Sequence, residues 1–413
     1  MSYCTILFLL TLLASGCAPA EPDDETSLPE LSLQPPSILA SPGEEYAKSK
    51  RGAQGVPTIA KVPNGKLWAA WYTGPETRKV ESPFSYVVLA SSDDDGTTWS
   101  ELELVIEPRK FVRAMDPCLW IDPQGRMWLF WVQTAGLRDG RWGVWSMMAT
   151  DPNADAPEWS EPRRIANGLM LNKPTVRENG DWLLPVGLWR DSEPNLDLDG
   201  FRLSPYTEEM LVHDLGEERG SNVFRSRDQG KTFEFLGQAR VPSTRVDEHM
   251  LVERRDGSLW MVVRTTEGIG QSVSIDGGKT WAPGTKYLEG PNVANKRFFL
   301  RRLQSGALLM VRNNGPTAAR SHLTAFISDD DGATWEGGLM IDEREGVSYP
   351  DGVQAKDGTV YLIHDYDRAG EGVIYMATFR EEDVRAGRPV TDWSRLGVEI
   401  SRLRNIEPIA LAR

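Results

Sequence analysis

One eight-residue pattern, Ser-x-Asp-x-Gly-x-Thr-aromatic, occurs four times in this chain: Ser92 to Trp99, Ser226 to Phe233, Ser274 to Trp281 and Ser328 to Trp335. Four copies with five fixed positions each are not chance, and the stretch from Ser146 to Trp159 reads as a fifth, degenerate copy with inserted residues. The unit describes a hairpin turn. Its Asp bonds backbone amides, its Gly supplies a positive φ, and its aromatic ring packs between strands. The run Asp329-Asp330-Asp331 lies inside one copy, so turn structure accounts for it better than calcium does.

A second repeat carries more information. Six times a β-like run meets a turn ending in glycine and resumes as an apolar strand; the turns are Asn64-Gly65, Gln124-Gly125, Asn179-Gly180, Asp256-Gly257, Ser305-Gly306 and Asp357-Gly358. An X-Gly step between apolar runs is a strong hairpin signal. Successive turns stand about 50 to about 77 residues apart, near the span of a four-stranded propeller blade. No segment has sustained helical periodicity. The expectation is an all-β, six-bladed β-propeller over residues 37–413, with the aspartate turns joining the outer two strands of most blades. Closing the ring removes open sheet edges, and a strand near Ser37 to Ala40 is expected to complete the sixth blade.

Composition narrows the function. The 413 residues include 60 acidic and 46 basic side chains, for a net charge of −14. Such a chain has no general attraction for phosphate backbones, so nucleic acid is excluded as a partner class. Three cysteines cannot build a disulfide framework, and Cys118 reads as a small buried hydrophobe. The fifteen tryptophans, among them Trp68, Trp71, Trp128, Trp131 and Trp260, suit blade cores. With four histidines, no His-x-x-x-His spacing and no Walker or Rossmann glycine pattern, neither a metal nor a cofactor is expected. Nothing calls for a second subunit, and a monomer is expected.

The N-terminus reads as an address. Ile6 to Ala14 form an apolar run too short for a bilayer, which needs roughly 20 residues. Ala14-Ser15-Gly16-Cys17 then resembles a bacterial lipobox. The expected organisation is a lipoprotein-type signal peptide over 1–16, Cys17 as the lipidated first mature residue, and a disordered tether over 17–36 rich in Pro, Glu and Asp. The protein is then exported to the cell envelope, touching membrane only through its lipid.

In a propeller the innermost strand of each blade lines the axis. The strand before each X-Gly turn is the candidate inner strand, so its first residues converge at one mouth. Those starts are Val56-Pro57, Asp116-Pro117, Asn172-Lys173, Asp247-Glu248-His249, Lys296-Arg297 and Tyr349-Pro350-Asp351. Charged groups and a phenol gathered in this way are costly to bury unless they are paired or hold a polar ligand.

With the repeats and these strand starts together, the chain resembles the bacterial sialidase superfamily, from about residue 50 to about residue 380. The resemblance implies glycoside cleavage by a Tyr nucleophile with an activating Glu, an Asp acid/base and three Arg gripping a carboxylate. Tyr349, in Ser348-Tyr349-Pro350-Asp351, resembles the nucleophile, and Glu248, in Val246-Asp247-Glu248-His249, its activator. Arg264 and Arg320 resemble the second and third arginines. The first departs from the pattern: Gly55-Val56-Pro57 stands where the family has Arg-Ile-Pro, leaving Arg51, Arg113 or Arg297 to substitute. In place of the acid/base Asp, the loop after Trp71-Tyr72-Thr73-Gly74 offers Glu76 and Glu81. Asp116, Lys173, Asp247, His249, Arg297 and Asp351 join Arg264 and Arg320 as candidate substrate contacts. The implied function is an exo-acting glycosidase trimming terminal, acidic sugars from glycans. The alternatives are a glycosidase or lyase for a uronic acid or deoxysugar, and a non-catalytic glycan-binding propeller.

Overall fold

The computed structural model describes residues 27–404, apart from 64, 79–80, 110, 191–192, 197–206 and 318. The signal peptide and Cys17 lie outside the described residues, as does Asn64 of the first X-Gly turn.

Six antiparallel sheets follow one another along the chain, over residues 51–107, 112–166, 175–239, 250–289, 299–342 and 347–402, each contributing four consecutive strands. The protein is a six-bladed β-propeller. The innermost strands are Arg51–Lys61, Val112–Ile121, Thr175–Val176, Met250–Glu253, Phe299–Arg302 and Val347–Gln354. Because strands alternate in direction, the X-Gly turns and the aspartate turns share one face. The starts of the inner strands and the loops between second and third strands share the other.

The aspartate turns join the outer two strands of blades 1, 3, 4 and 5, and their bonding is the same each time. In blade 5, Ser328 Oγ donates to Asp330 at 2.8 Å and accepts from the Gly332 amide at 2.8 Å. Asp330 also accepts from the Thr334 amide and hydroxyl at 2.8 and 2.6 Å. These bonds, led by the Thr334 hydroxyl and amide, pull the exposed carboxyl down to about 2. Gly332 has φ +89°, and a Cβ there would stand 2.4 Å from the Trp260 ring of blade 4, so the turn fixes its blade to the neighbour as well. Between blades lie apolar layers such as Trp68 and Leu89 of blade 1 against Leu119 and Trp131 of blade 2. Trp71, Trp128 and Trp260 are buried too, as is Cys118, whose thiol burial pushes up to about 12.

Two expectations are corrected. The sixth blade takes all four strands from residues 347–402, and Ser37–Leu39 pairs instead with Ser100–Glu107 as a fifth, outermost strand of blade 1. A short helix, Glu381–Ala386, returns the chain so that Arg395–Arg402 fills the edge the N-terminal strand was expected to fill. The ring therefore closes through hydrogen bonds and apolar packing between blades 1 and 6. Gln54 Nε2 donates to the Gly372 carbonyl at 2.7 Å, the Val56 amide to Asp365 at 2.8 Å, and Ile59 of blade 1 packs with Ile363 and Met376 of blade 6. The tether also ends sooner than expected. Leu28 and Leu31 are buried against Phe111, Ala135 and Leu211, and the Gln133 side chain donates to the carbonyls of Ser32 and Gln34 at 3.0 and 2.9 Å. Two leucines on a single turn supply an apolar face that a solvated tether lacks.

On the axis, one buried network touches every blade. Asp351 of blade 6 is ion-paired with Lys173, which leads into blade 3, and accepts from the Thr58 hydroxyl of blade 1 at 2.7 Å. Thr58 in turn accepts from the Leu119 amide of blade 2 at 3.0 Å. Arg297 of blade 5 lies 3.8 Å from Asp351 and donates to Asn172 at 2.7 Å. Asn172 donates to the His249 carbonyl of blade 4 at 2.8 Å. Removing one partner of such a pair leaves an uncompensated charge. Lys173→Met is expected to lower unfolding free energy by about 3–5 kcal/mol in urea titrations, and adding Asp351→Leu to recover part of that loss.

Candidate active site

Three of the inner strands carry the same irregularity. Val56, Asp116 and Tyr349 have φ of +50°, +48° and +52°, each precedes a proline, and the strand pairing slips at each of them. A bulge adds a residue to one strand and re-aims its side chain. The proline that follows has no amide to pair. Holding a non-glycine residue there costs on the order of 1–3 kcal/mol, and the surrounding structure imposes it: Asp365 holds the Val56 amide, and Arg297 grips the Pro350 carbonyl.

The bulge at Tyr349 delivers its hydroxyl to Glu248, two residues before the fourth inner strand, donating to Oε1 at 3.0 Å. Glu248 Oε2 is paired with Arg264 at 2.8 Å, and Arg264 Nε is anchored on the Asn295 carbonyl at 2.9 Å. Arg320 donates to Ser348 Oγ at 2.8 Å and places its guanidinium 5.1 Å from the centre of the Tyr349 ring. The phenol is raised above its ordinary value, by burial first and by Glu248 second, against the pull of the arginines around it. It is therefore protonated at neutral pH, with a carboxylate in place to take the proton.

A third guanidinium lies closer still. Arg368, in the loop after Val360–Tyr366, sits 4.1 Å from the Tyr349 ring centre and is fixed by Asp365 at 2.7 Å. It fills the space over Gly55, where a Cβ would meet Arg368 Cδ at 2.4 Å. A guanidinium from the last blade thus stands over the first inner strand, with Gly55 making the room. Beside it, Glu81 accepts from Tyr72 at 3.1 Å and pairs with Arg113 at 3.3 Å and Arg368 at 3.4 Å. Burial raises the Glu81 carboxyl, but Arg113 and Arg368 outweigh it and hold it below its ordinary value. Asp116 goes the other way, pushed up to about 7 by burial and then by Glu81. Two adjacent carboxyls are thereby split into one held charged and one that titrates near neutrality.

The BNR repeat-like domain family matches residues 65–362, most of the chain. The protein belongs to that family. No curated protein sequence matches this BNR-repeat protein. Its fold is similar to that of a Hadza microbial sialidase, at 17% identity and TM-score 0.61, over 80% of this chain and 66% of that one, just under two thirds of its length. It is also similar to a leech intramolecular trans-sialidase, at 14% identity and TM-score 0.60, over 83% of this chain and 70% of the other. A protein of unknown function from Dyadobacter fermentans aligns at 18% identity and TM-score 0.57, over 84% and 97% of the two chains. At these identities the likeness is one of fold.

Other expected contacts of the BNR-repeat protein lie elsewhere. Lys173, Arg297 and Asp351 are committed to the axial network below the mouth, because their charges are satisfied by one another and by backbone carbonyls. His249 faces carbonyls with both ring nitrogens, Asp247 at 3.0 Å and Asn222 at 2.8 Å, and Asp247 is buried in the wall beside Gly187. Glu76 is exposed in the turn after Leu67–Pro75. Of the proposed substitutes for the first arginine, Arg51 bonds Tyr46 and Glu101, and Arg113 holds Glu81. Among the described residues, no group of three His, Cys, Asp or Glu could hold a metal ion.

Arg368 carries no motif of its own in the sequence, and only the fold sets it beside Tyr349. The rest of the mouth comes from the end of each second strand and the loop that follows it, which give Glu81, Arg138, Trp189, Arg264, Arg320 and Arg368 in blade order. Gly55→Ala is expected to drive Arg368 off the Tyr349 ring while the propeller persists, which a crystal structure of the variant checks.

Proposed function

We propose that this protein is an exo-acting glycoside hydrolase of the sialidase type, removing terminal acidic sugars from glycans. The observation that carries the reading is the Tyr349 hydroxyl donating at 3.0 Å to Glu248, with three arginines about the pair. A carboxylate nucleophile would repel an anionic sugar at its anomeric carbon; a neutral phenol does not. As Tyr349 Oη attacks that carbon, its proton passes to Glu248, while Arg264, Arg320 and Arg368 orient the sugar's carboxylate. The departing glycosidic oxygen needs a proton. Glu81, held charged by two arginines, is a poor donor. Asp116, poised near neutrality, is the better acid, and in the second step it takes a proton from the water that frees the sugar from Tyr349.

One feature favours a second reading. Arg368 approaches from blade 6 and is shared with Asp365, Glu81 and Ser348, so the clamp differs from one built on the first inner strand, and a uronic acid is the alternative sugar. Export, with lipid attachment at Cys17 and a monomeric chain, suits such an enzyme. Incorporation of labelled palmitate that disappears in Cys17→Ser tests the anchor.

Screening the purified protein against sialosides and uronide-capped oligosaccharides tests the activity. Turnover of at least one is expected, reduced about 10²-fold or more in Tyr349→Phe and in Glu248→Gln; unchanged turnover in Tyr349→Phe overturns the reading. Asp116 must carry its proton, so kcat/KM is expected to fall as pH rises through about 7. Asp116→Asn is expected to remove that limb and to lower the rate by about 10²–10⁴-fold. Because the carboxyl is raised in the folded state, its contribution to stability is also expected to decline from the ordinary carboxylate range up to that same pH.

A further inference from the structure

The cavity at Glu248 and Tyr349, of about 380 Å³, does not end there. It runs on to Arg138, Trp189, Arg245 and Lys296. Four cations line it, counting Arg264, against one carboxylate, Glu248, which Arg264 already neutralises. In a chain of net charge −14 this is a local reversal of sign. Among the described residues, no Asp or Glu forms an ion pair with Arg138, Arg245 or Lys296, whose side chains come from separate connections between strands. The Lys296 ammonium is pushed below its ordinary value by burial, then by Arg264 and Arg320, so the cations press on one another. Two donors in this annex, Arg138 Nε and Trp189 Nε1, are buried without a hydrogen-bond acceptor. Leaving a buried donor unpaired is costly, and such groups in a native structure call for an explanation. Their placement is built. Arg138 is pinned by reciprocal backbone bonds to Asn195 at 2.9 and 2.8 Å, and the Trp189 ring lies against Trp142 with centroids 5.1 Å apart.

We propose that this annex is a second anion subsite, binding a carboxylate or sulfate that the glycan carries next to the sugar held at Tyr349. The preferred substrate is therefore a glycan with two neighbouring anionic groups. Arg138, Arg245 and Lys296 supply the charge, and Trp189 supplies an apolar face. The inference rests on the glycan-binding part of the reading above and not on turnover.

The test uses the full chain carrying Tyr349→Phe, so that binding is measured without hydrolysis. Calorimetric titration compares three disaccharides: one with a single terminal carboxylate, the same with a second carboxylate on the adjoining sugar, and the same with a sulfate there. The second anion is expected to tighten binding by about tenfold or more, and whichever group gains more identifies the natural one. Arg138→Gln with Lys296→Gln is expected to abolish that gain, leave the singly charged probe unaffected, and melt no lower than its parent because it relieves repulsion; Arg245→Gln, at an exposed position, serves as a second variant. Equal affinity for singly and doubly charged probes, a gain that survives these substitutions, or no binding of any probe overturns the subsite. Selective binding by a protein that hydrolyses nothing would refute the hydrolase reading and sustain this one; turnover without selectivity would do the reverse.

Discussion

The buried carboxylate of Asp351 is the point on which the molecule turns. Blades in a propeller touch mainly their neighbours, so nothing in the sheets themselves ties blade 1 to blade 4. The axial network does, by running from Asp351 through Lys173, Thr58, Arg297 and Asn172 to all six. It also builds the floor of the mouth. Asp351 lies two residues beyond Tyr349, and Arg297 grips the carbonyl between them, so the charges that hold the ring together also set the height and angle of the phenol. A site assembled from residues more than a hundred positions apart, such as Glu248 and Tyr349, needs a rigid frame of this kind.

Electrostatic division of labour follows from who stands beside whom. Glu81 and Asp116 share a corner of the mouth, yet Arg113 and Arg368 favour the charge on one while burial disfavours it on the other. Arg368 also acts on the phenol, joining Arg264 and Arg320 in opposing the rise that burial and Glu248 impose on Tyr349. Surroundings, more than residue type, give each group its character.

Much of this was legible in the residues. The aspartate turns and X-Gly steps located the hairpins because local bonding and positive φ need particular side chains. The strand starts located Tyr349 and Glu248 because a radial fold brings equivalent positions together. What stayed hidden depends on contacts between distant elements. Gly55 reads in sequence as a missing arginine, and only the packing of Arg368 over it shows that a guanidinium stands there. Lys173 and Arg297 read as pocket cations, and only their mutual satisfaction with Asp351 and the carbonyls shows them to be structural. Ser37–Leu39 had two edges to choose from, and the choice was settled by a helix and strand at the other end of the chain.

Among the described residues no strand is shared between the first and last blades, and this has a mechanical consequence. Where those blades meet, the ring is latched by Gln54, Val56 and Asp365 above an apolar seam, and the loop that bears Arg368 belongs to that latch, since the Gln54 amide bonds the Arg368 carbonyl. Parting the seam would draw the guanidinium away from Tyr349 with every sheet still intact. The place of that guanidinium is thus wired to the joint that closes the circle, and a shift between the first and last blades would be felt at Tyr349 before any strand came unpaired.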